Sequence, residues 1–200
     1  MRVLVACEES QAICKAFREK GHESYSCDIV PCSGGHPEWH IQADALEVIK
    51  LRWDLIIAHP PCTYLSNAGA VHLFDRDGFI KDKDRERKGW EAKSFFEKFL
   101  NADCPRVAVE NPVPSRYWKM PKYTQIIEPY MFGDPWRKRT CLWLRGLPML
   151  LATDIVIPEG LWIGASSCRR SDYLLEGHRS SRMRSMTFPG IAKAMAEQWG

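Results

Sequence analysis

Two hundred residues, 45% of them hydrophobic and 26% charged, describe one ordinary globular domain rather than a disordered or fibrous chain. No run reaches the roughly 18 consecutive apolar residues of a membrane span, and the opening MRVLVACEES meets acids too early for a signal peptide. The eight cysteines are scattered singly on a chain long enough to bury a core, so they are expected to be reduced thiols in a cytoplasmic protein.

The net charge of +3 says little, but its distribution is uneven. Between Arg137 and Arg184 nine basic residues face four acids, which leaves the rest of the chain slightly acidic. A basic C-terminal third suits contact with a polyanion, and equally a solvated basic face.

RVLVA (2–6) predicts a strand, and the spacing of Ile13, Ala16 and Phe17 before Gly21 predicts a helix. ESYSCDIV (23–30) predicts a second strand ending near Asp28, completing a βαβ opening. WDLIIAHPP (53–61) reads as the next strand, apolar throughout as a buried parallel strand should be and stopped by Pro60-Pro61. The charged segment 75–89 reads as a loop or helix start. Trp90, Phe95, Phe96, Phe99 and Leu100 then mark the apolar side of a helix. PRVAVENP (105–112) predicts another strand, a strand pair is expected at 126–132 and 140–144, and IAKAMAEQW closes the chain as a helix. The expected fold class is α/β: a doubly wound, mostly parallel sheet in one domain (1–200), with an irregular basic insert at about 145–185.

In such sheets ligands bind beyond the carboxyl ends of the strands. Four of these ends carry chemically usable residues: Cys7 to Ser10, Asp28, His59 to Thr63, and Glu110 to Pro112. Cys62 lies behind two prolines that stiffen the backbone, a setting that suits a nucleophile as well as an inert thiol. Cys27, Cys32, His36 and His40 invite a zinc reading, but they lack the dozen-residue separation of zinc-finger pairs, so no metal is expected. The glycine fingerprint of nicotinamide-binding enzymes is missing.

HPPCTYLSNAG (59–69) resembles the nucleophile loop of the DNA cytosine-C5 methyltransferases, Pro-Cys-Gln-x-x-Ser-x-Ala-Gly, at Pro61, Cys62, Ser66, Ala68 and Gly69. Thr63 replaces the Gln. VAVENP (107–112) resembles the family's Glu-Asn-Val segment, with Pro112 for Val. FGDPWRKRT (132–140) resembles its Gly-x-Pro-Gln-x-Arg-x-Arg segment through Gly133, Pro135, Arg137 and Arg139, with Trp136 for Gln. HPPC also resembles the Asp/Asn-Pro-Pro-aromatic loop of exocyclic-amine methyltransferases, but Cys62 stands where that loop needs its aromatic ring.

The resemblance implies a Rossmann-like fold, S-adenosylmethionine (SAM) as cofactor, and a catalytic set of Cys62, Glu110, Arg139 and Ser66. C5 of cytosine is a poor nucleophile; a thiolate adding at C6 turns the ring into an enamine that can take a methyl group at C5. Glu110 would assist at N3 and the exocyclic amine, and Arg139 with Arg137 or Lys138 would stabilise the base carbonyl and the thiolate. Asn111 would order the nucleophile loop, and Gly69 joins the substrate-binding set.

Cofactor contacts are implied at Ala6, Cys7, Glu8, Asp28, Ile29, Asp44, Ala45 and Pro60, with Asp28 at the ribose hydroxyls and Asp44 near the adenine amine. The family's Phe-x-Gly-x-Gly turn is absent, replaced by Cys7-Glu8-Glu9-Ser10-Gln11. RSMTFPGIAKAMAEQW (184–199) resembles a divergent closing motif. The implied substrate is duplex DNA with a flipped cytosine. The short basic insert is a reduced recognition region, so a partner for target recognition is also considered. RNA, a free nucleotide, and a non-catalytic nucleic-acid-binding relative remain alternatives.

Overall fold

The computed structural model describes residues 1–161 and 187–200; the Ser-rich basic stretch between them, with most of the expected 145–185 insert, lies outside the described residues. The strands are β1 (Arg2–Ala6), β2 (Glu23–Asp28), β3 (His40–Gln42), β4 (Leu55–Ala58), β5 (Val107–Pro112), β6 (Gln125–Ile127), β7 (Trp136–Arg137), β8 (Thr140–Arg145) and β9 (Gly160–Leu161). The helices are α1 (Ala12–Glu19), α2 (Ala45–Val48), α3 (Asn67–Ala70), α4 (Lys83–Leu100) and α5 (Pro189–Trp199).

Among the described residues seven strands form one sheet in the order β3-β2-β1-β4-β5-β8-β6, while β7 and β9 pair separately. The first five run parallel, and β8 is antiparallel to both β5 and β6. This is the expected doubly wound, mostly parallel α/β sheet of Rossmann-like type, with the chain reversing direction across the sheet between β1 and β4.

Both faces of the sheet are covered, and this explains the continuous apolar runs. Val3, Val5, Leu55 and Ile57 pack with Ile13 and Phe17 of α1 and with Ile191, Met195 and Trp199 of α5. Their alternates Leu4, Ala6, Ile56, Ala58, Val107 and Val109 pack on the other face with Val48 of α2 and Phe96 and Phe99 of α4.

Three local expectations are corrected. The charged segment is helical from Lys83, because Asp82 caps α4 by accepting Arg85 N–H at 2.8 Å, and Asp84 pairs with both Arg87 and Lys88 at 2.6 Å. The strand expected to reach residue 132 stops at Ile127, because Pro129 opens a 3₁₀ turn. β3 and α2 were not anticipated; three- and four-residue elements are too short to show a period. Among the described residues no helix is long and apolar enough to cross a membrane.

Candidate active site at the carboxyl ends of the strands

β4 and β5 are parallel neighbours in the register Ala58↔Val109, so the residues that follow, His59 and Glu110, come level at the sheet's carboxyl edge. The chain then leaves β4 through Pro60 and Pro61 into a folded loop. Asn111, 1% exposed, donates from Nδ2 to the Pro60 carbonyl at 2.9 Å and so ties the start of this loop to β5. Ser66 N–H donates to the Cys62 carbonyl at 3.1 Å, and Ser66 Oγ caps α3 by accepting Gly69 N–H at 3.1 Å. From outside, Arg85 donates to the carbonyls of Thr63 and Gly69, and Trp118 Nε1–H donates to Tyr64 O at 2.8 Å. A Cβ at Gly69 would stand 2.1 Å from the Thr63 carbonyl oxygen, so the fold of the loop requires glycine there. Cys62 is half-buried at the head of this scaffold.

Glu110 sits beside it with its side chain 20% exposed, and His59 Nδ1 lies 3.3 Å from Glu110 Oε2. Burial alone would push the Glu110 carboxyl up, but contact with His59, the charge of Lys138 and the Thr140 hydroxyl outweigh it and hold the group below its ordinary value. A small cavity adjoins the pair, lined by His59, Glu110, Lys138, Thr140, Phe188 and Met195 among others. The basic group acting on Glu110 is Lys138. Arg139 has a side chain 73% exposed and stands 3.8 Å from Glu128, and Arg137 stacks over the Tyr130 ring at 5.4 Å. Extended chain alternates its faces, so 138 and 140 turn inward together while 137 and 139 turn outward. Counted from Gly133, the two arginines of the Gly-x-Pro-Gln-x-Arg-x-Arg pattern fall at Lys138 and Thr140.

The second half of the site lies at the ends of β1, β2 and β3. Cys7 holds the left-handed conformation, φ 59°, that glycine usually supplies, and Gln11 holds another, φ 61°. Glu8, 4% exposed, accepts N–H bonds from Ile13 at 2.8 Å and Cys14 at 3.2 Å, so both its oxygens cap α1. Burial pushes the Glu8 carboxyl up, against the attraction of His59 and these two N–H bonds. Gln11 is fully buried and staples the 32–36 loop: it donates to His36 O at 2.8 Å and accepts His36 N–H at 3.1 Å.

Burial raises the Cys7 thiol well above its ordinary range, and the charges of Asp28 and Asp44 raise it further, so both carboxylates act at this turn. Asp28 Oδ1 accepts Val30 N–H at 3.2 Å, and Asp44 caps α2 by accepting Leu46 N–H at 2.9 Å. Ile29 is 73% exposed just past β2. Ala6 and Ala45 are buried, the Ala6 carbonyl accepts His59 N–H at 2.9 Å, and Pro60 is buried between the two halves.

The sequence-derived residues thus fall into two adjoining groups, with Arg137 and Arg139 on the outer side. Sequence reasoning missed His59 and Thr140 as parts of the site, and Arg85 as a support of its loop. His59 had a signal, its place at a strand end level with Glu110; Arg85 had none. Among the described residues no group of three His, Cys, Asp or Glu side chains could hold a metal ion. Cys27 is buried with its thiol directed at Ala43 O, and His40 is engaged by Ser26 and Val30 O. A broader open depression along α4, lined by Lys83, Arg87 and Trp90, holds none of the site residues.

No protein-family model matches the chain, nor does any curated protein. Solved structures similar to it include a protein described as a DNA modification methyltransferase encoded within an E. coli prophage (TM-score 0.48, 15% identity, 78% of this chain and 52% of that one). Others are the Entamoeba histolytica methyltransferase EhMeth (0.47, 13%, 78% and 57%) and the S. pombe Dnmt2 methyltransferase (0.43, 11%, 74% and 51%). The chain spans about half the length of each of these proteins.

Proposed function

We propose that this protein is a SAM-dependent methyltransferase that methylates C5 of cytosine in DNA through a covalent adduct with Cys62. The observation that carries the reading is the pairing at adjacent strand ends: a half-buried cysteine on a loop tied down by Asn111, Ser66 and Gly69, beside a carboxylate held below its ordinary value. The loop is the one whose sequence resembles the C5-methyltransferase nucleophile segment.

The residues at the β1–β3 ends fit the adenosyl part of the cofactor. Two carboxylates, Asp28 and Asp44, suit ribose hydroxyls and an exocyclic amine, and exposed Ile29 offers an apolar contact for the adenine. The N–H groups of Ile13 and Cys14 are already capped by Glu8, so Glu8 shapes the turn from behind. Bound there, SAM would supply an electrophilic methyl group. The chain's own residues do the rest. Cys62 adds to C6 of a flipped cytosine, Glu110 holds the N3 edge, and Lys138 offsets negative charge around the carboxylate. Thr140 and Ser66 keep Glu110 and the loop in place. With one domain and a short basic insert, sequence reading by the protein is brief, and a partner could extend it.

The test is transfer of tritium from labelled SAM to duplex DNA by the wild type and Cys62→Ala, with a 5-fluorocytosine duplex alongside. Label that depends on Cys62, with a covalent complex trapped on the fluorinated base, is the expected result. Undiminished transfer by Cys62→Ala would remove the nucleophile, and label on RNA or nucleotides alone would change the substrate.

A further inference from the structure

We propose that His59 is the positioning residue of the catalytic carboxylate: protonated between Glu8 and Glu110, it clamps Glu110 and supplies the proton that Glu110 passes to the base. The inference rests on the methyl-transfer reading above and extends it to a residue outside the motifs that suggested it.

The placement of His59 follows from the sheet. Its backbone N–H donates to Ala6 O at 2.9 Å, which fixes it at the end of β1 as well as β4. Its ring reaches Glu110 on one side, Nδ1 to Oε2 at 3.3 Å, and attracts the buried carboxylate of Glu8. The ring therefore links the cofactor-side turn to the carboxylate at the base. The charged and titratable groups that face this pair are Glu8 from the β1–α1 turn, Lys138 before β8, and Cys141 on β8, whose thiol burial pushes up to about 12 and so keeps neutral. Residues 188, 191 and 195 of the closing segment and helix line the cavity with Phe, Ile and Met and add no charge.

His59 Nε2 is buried without a hydrogen-bond partner, and the side chain is only 14% exposed. A neutral ring donating through Nδ1 would carry a lone pair on Nε2 in the field of two carboxylates. A protonated ring replaces that lone pair with an N–H and is attracted to both acids. The same contact keeps Glu110 ionised, so at neutral pH Glu110 holds no proton of its own to give.

As the Cys62 thiolate adds to C6, N3 of the cytosine gains basicity and needs a proton. The His59 Nδ1–H bond breaks as an O–H bond forms on Glu110. That O–H bond then breaks as N3–H forms. His59 is left neutral with its hydrogen on Nε2, and Glu110 is again a carboxylate. When the thiolate is eliminated the N3 proton returns by the same two transfers.

The experiment is the pH dependence of single-turnover label transfer to cytosine-containing DNA by wild type and His59→Gln, with ¹⁵N-histidine NMR titration of wild type and Glu110→Gln. The wild-type rate should fall with rising pH at the midpoint at which NMR sees His59 titrate. His59→Gln keeps a donor for Glu110 but cannot titrate; it should lose that limb and be slower at neutral pH by about 100-fold. A variant with wild-type rate and profile overturns the proposal. Glu110→Gln, read by NMR without any activity, should move the His59 midpoint to lower pH, and an unchanged midpoint overturns the clamp. No transfer by the wild type would instead remove the methyl-transfer reading and the proton's destination with it, while a lowered midpoint would still uphold the clamp.

Discussion

The turn after β1 and the loop after β4 do the same mechanical job, holding a short stretch of chain rigid beyond a strand end, and do it with different chemistry. The β4 loop is held at its backbone carbonyls: Asn111 takes that of Pro60, Ser66 N–H that of Cys62, Arg85 those of Thr63 and Gly69. The β1 turn is held by buried polar side chains, Glu8 capping α1 and Gln11 stapling the 32–36 loop, with two non-glycine residues in left-handed backbone. The first leaves its cysteine half-buried beside a carboxylate, while the second buries its cysteine's thiol among negative charges. A thiol in that second setting resists ionisation. Of the two strand-end cysteines, only Cys62 is placed to act as a thiolate.

The comparison predicts its largest effect at the catalytic pair. Glu110→Gln should slow methyl transfer by roughly 100- to 1,000-fold while leaving SAM affinity within a few-fold, measured by single-turnover transfer and calorimetry. An equal loss of SAM binding would move Glu110 to the other half of the site. The effect of Gly69→Ala should come next. Its Cβ would press on a backbone oxygen that cannot give way, so loop and α3 must shift at a cost of about 1–3 kcal/mol, lowering the melting temperature and transfer together. Unchanged stability would show that the loop is not rigid.

Glu8 and Glu110 should differ in sign. Glu110 is held below its ordinary value, so the stability it contributes is present above that value and is lost as pH falls through the lowered one. Glu8 is raised, so the native state holds its proton more tightly than the unfolded chain, and stability declines as pH rises from the ordinary value through the raised one. In melts across acid pH, the advantage of wild type over Glu8→Gln should therefore shrink with rising pH, and its advantage over Glu110→Gln should grow. Parallel curves would contradict both assignments. The smallest effect is expected at Cys7→Gly, where relief of the left-handed backbone, about 1 kcal/mol, opposes the loss of a buried thiol and greater chain entropy. The net change in melting temperature should be slight, and a large loss would mean that the thiol itself packs the turn.

What the chain determined by itself is a matter of local signals. Apolar runs bounded by Pro and Gly marked β1, β4 and β5 because strands buried on both faces need such runs, and Cys62, Ser66, Gly69, Glu110 and Asn111 stood together as motifs because contiguous loop geometry constrains contiguous residues. Tertiary structure alone decided the relations between segments. The register of β4 against β5 brought His59 to Glu110, and alternation along the chain before β8 turned Lys138 and Thr140 inward while sending Arg137 and Arg139 out. The β1 turn was equally illegible. Glu8 and Gln11 do there what glycines would otherwise do, through partners at 13, 14, 26 and 36 that meet them only once the sheet has formed, because a hydrogen bond between buried side chains has no period or spacing to announce it.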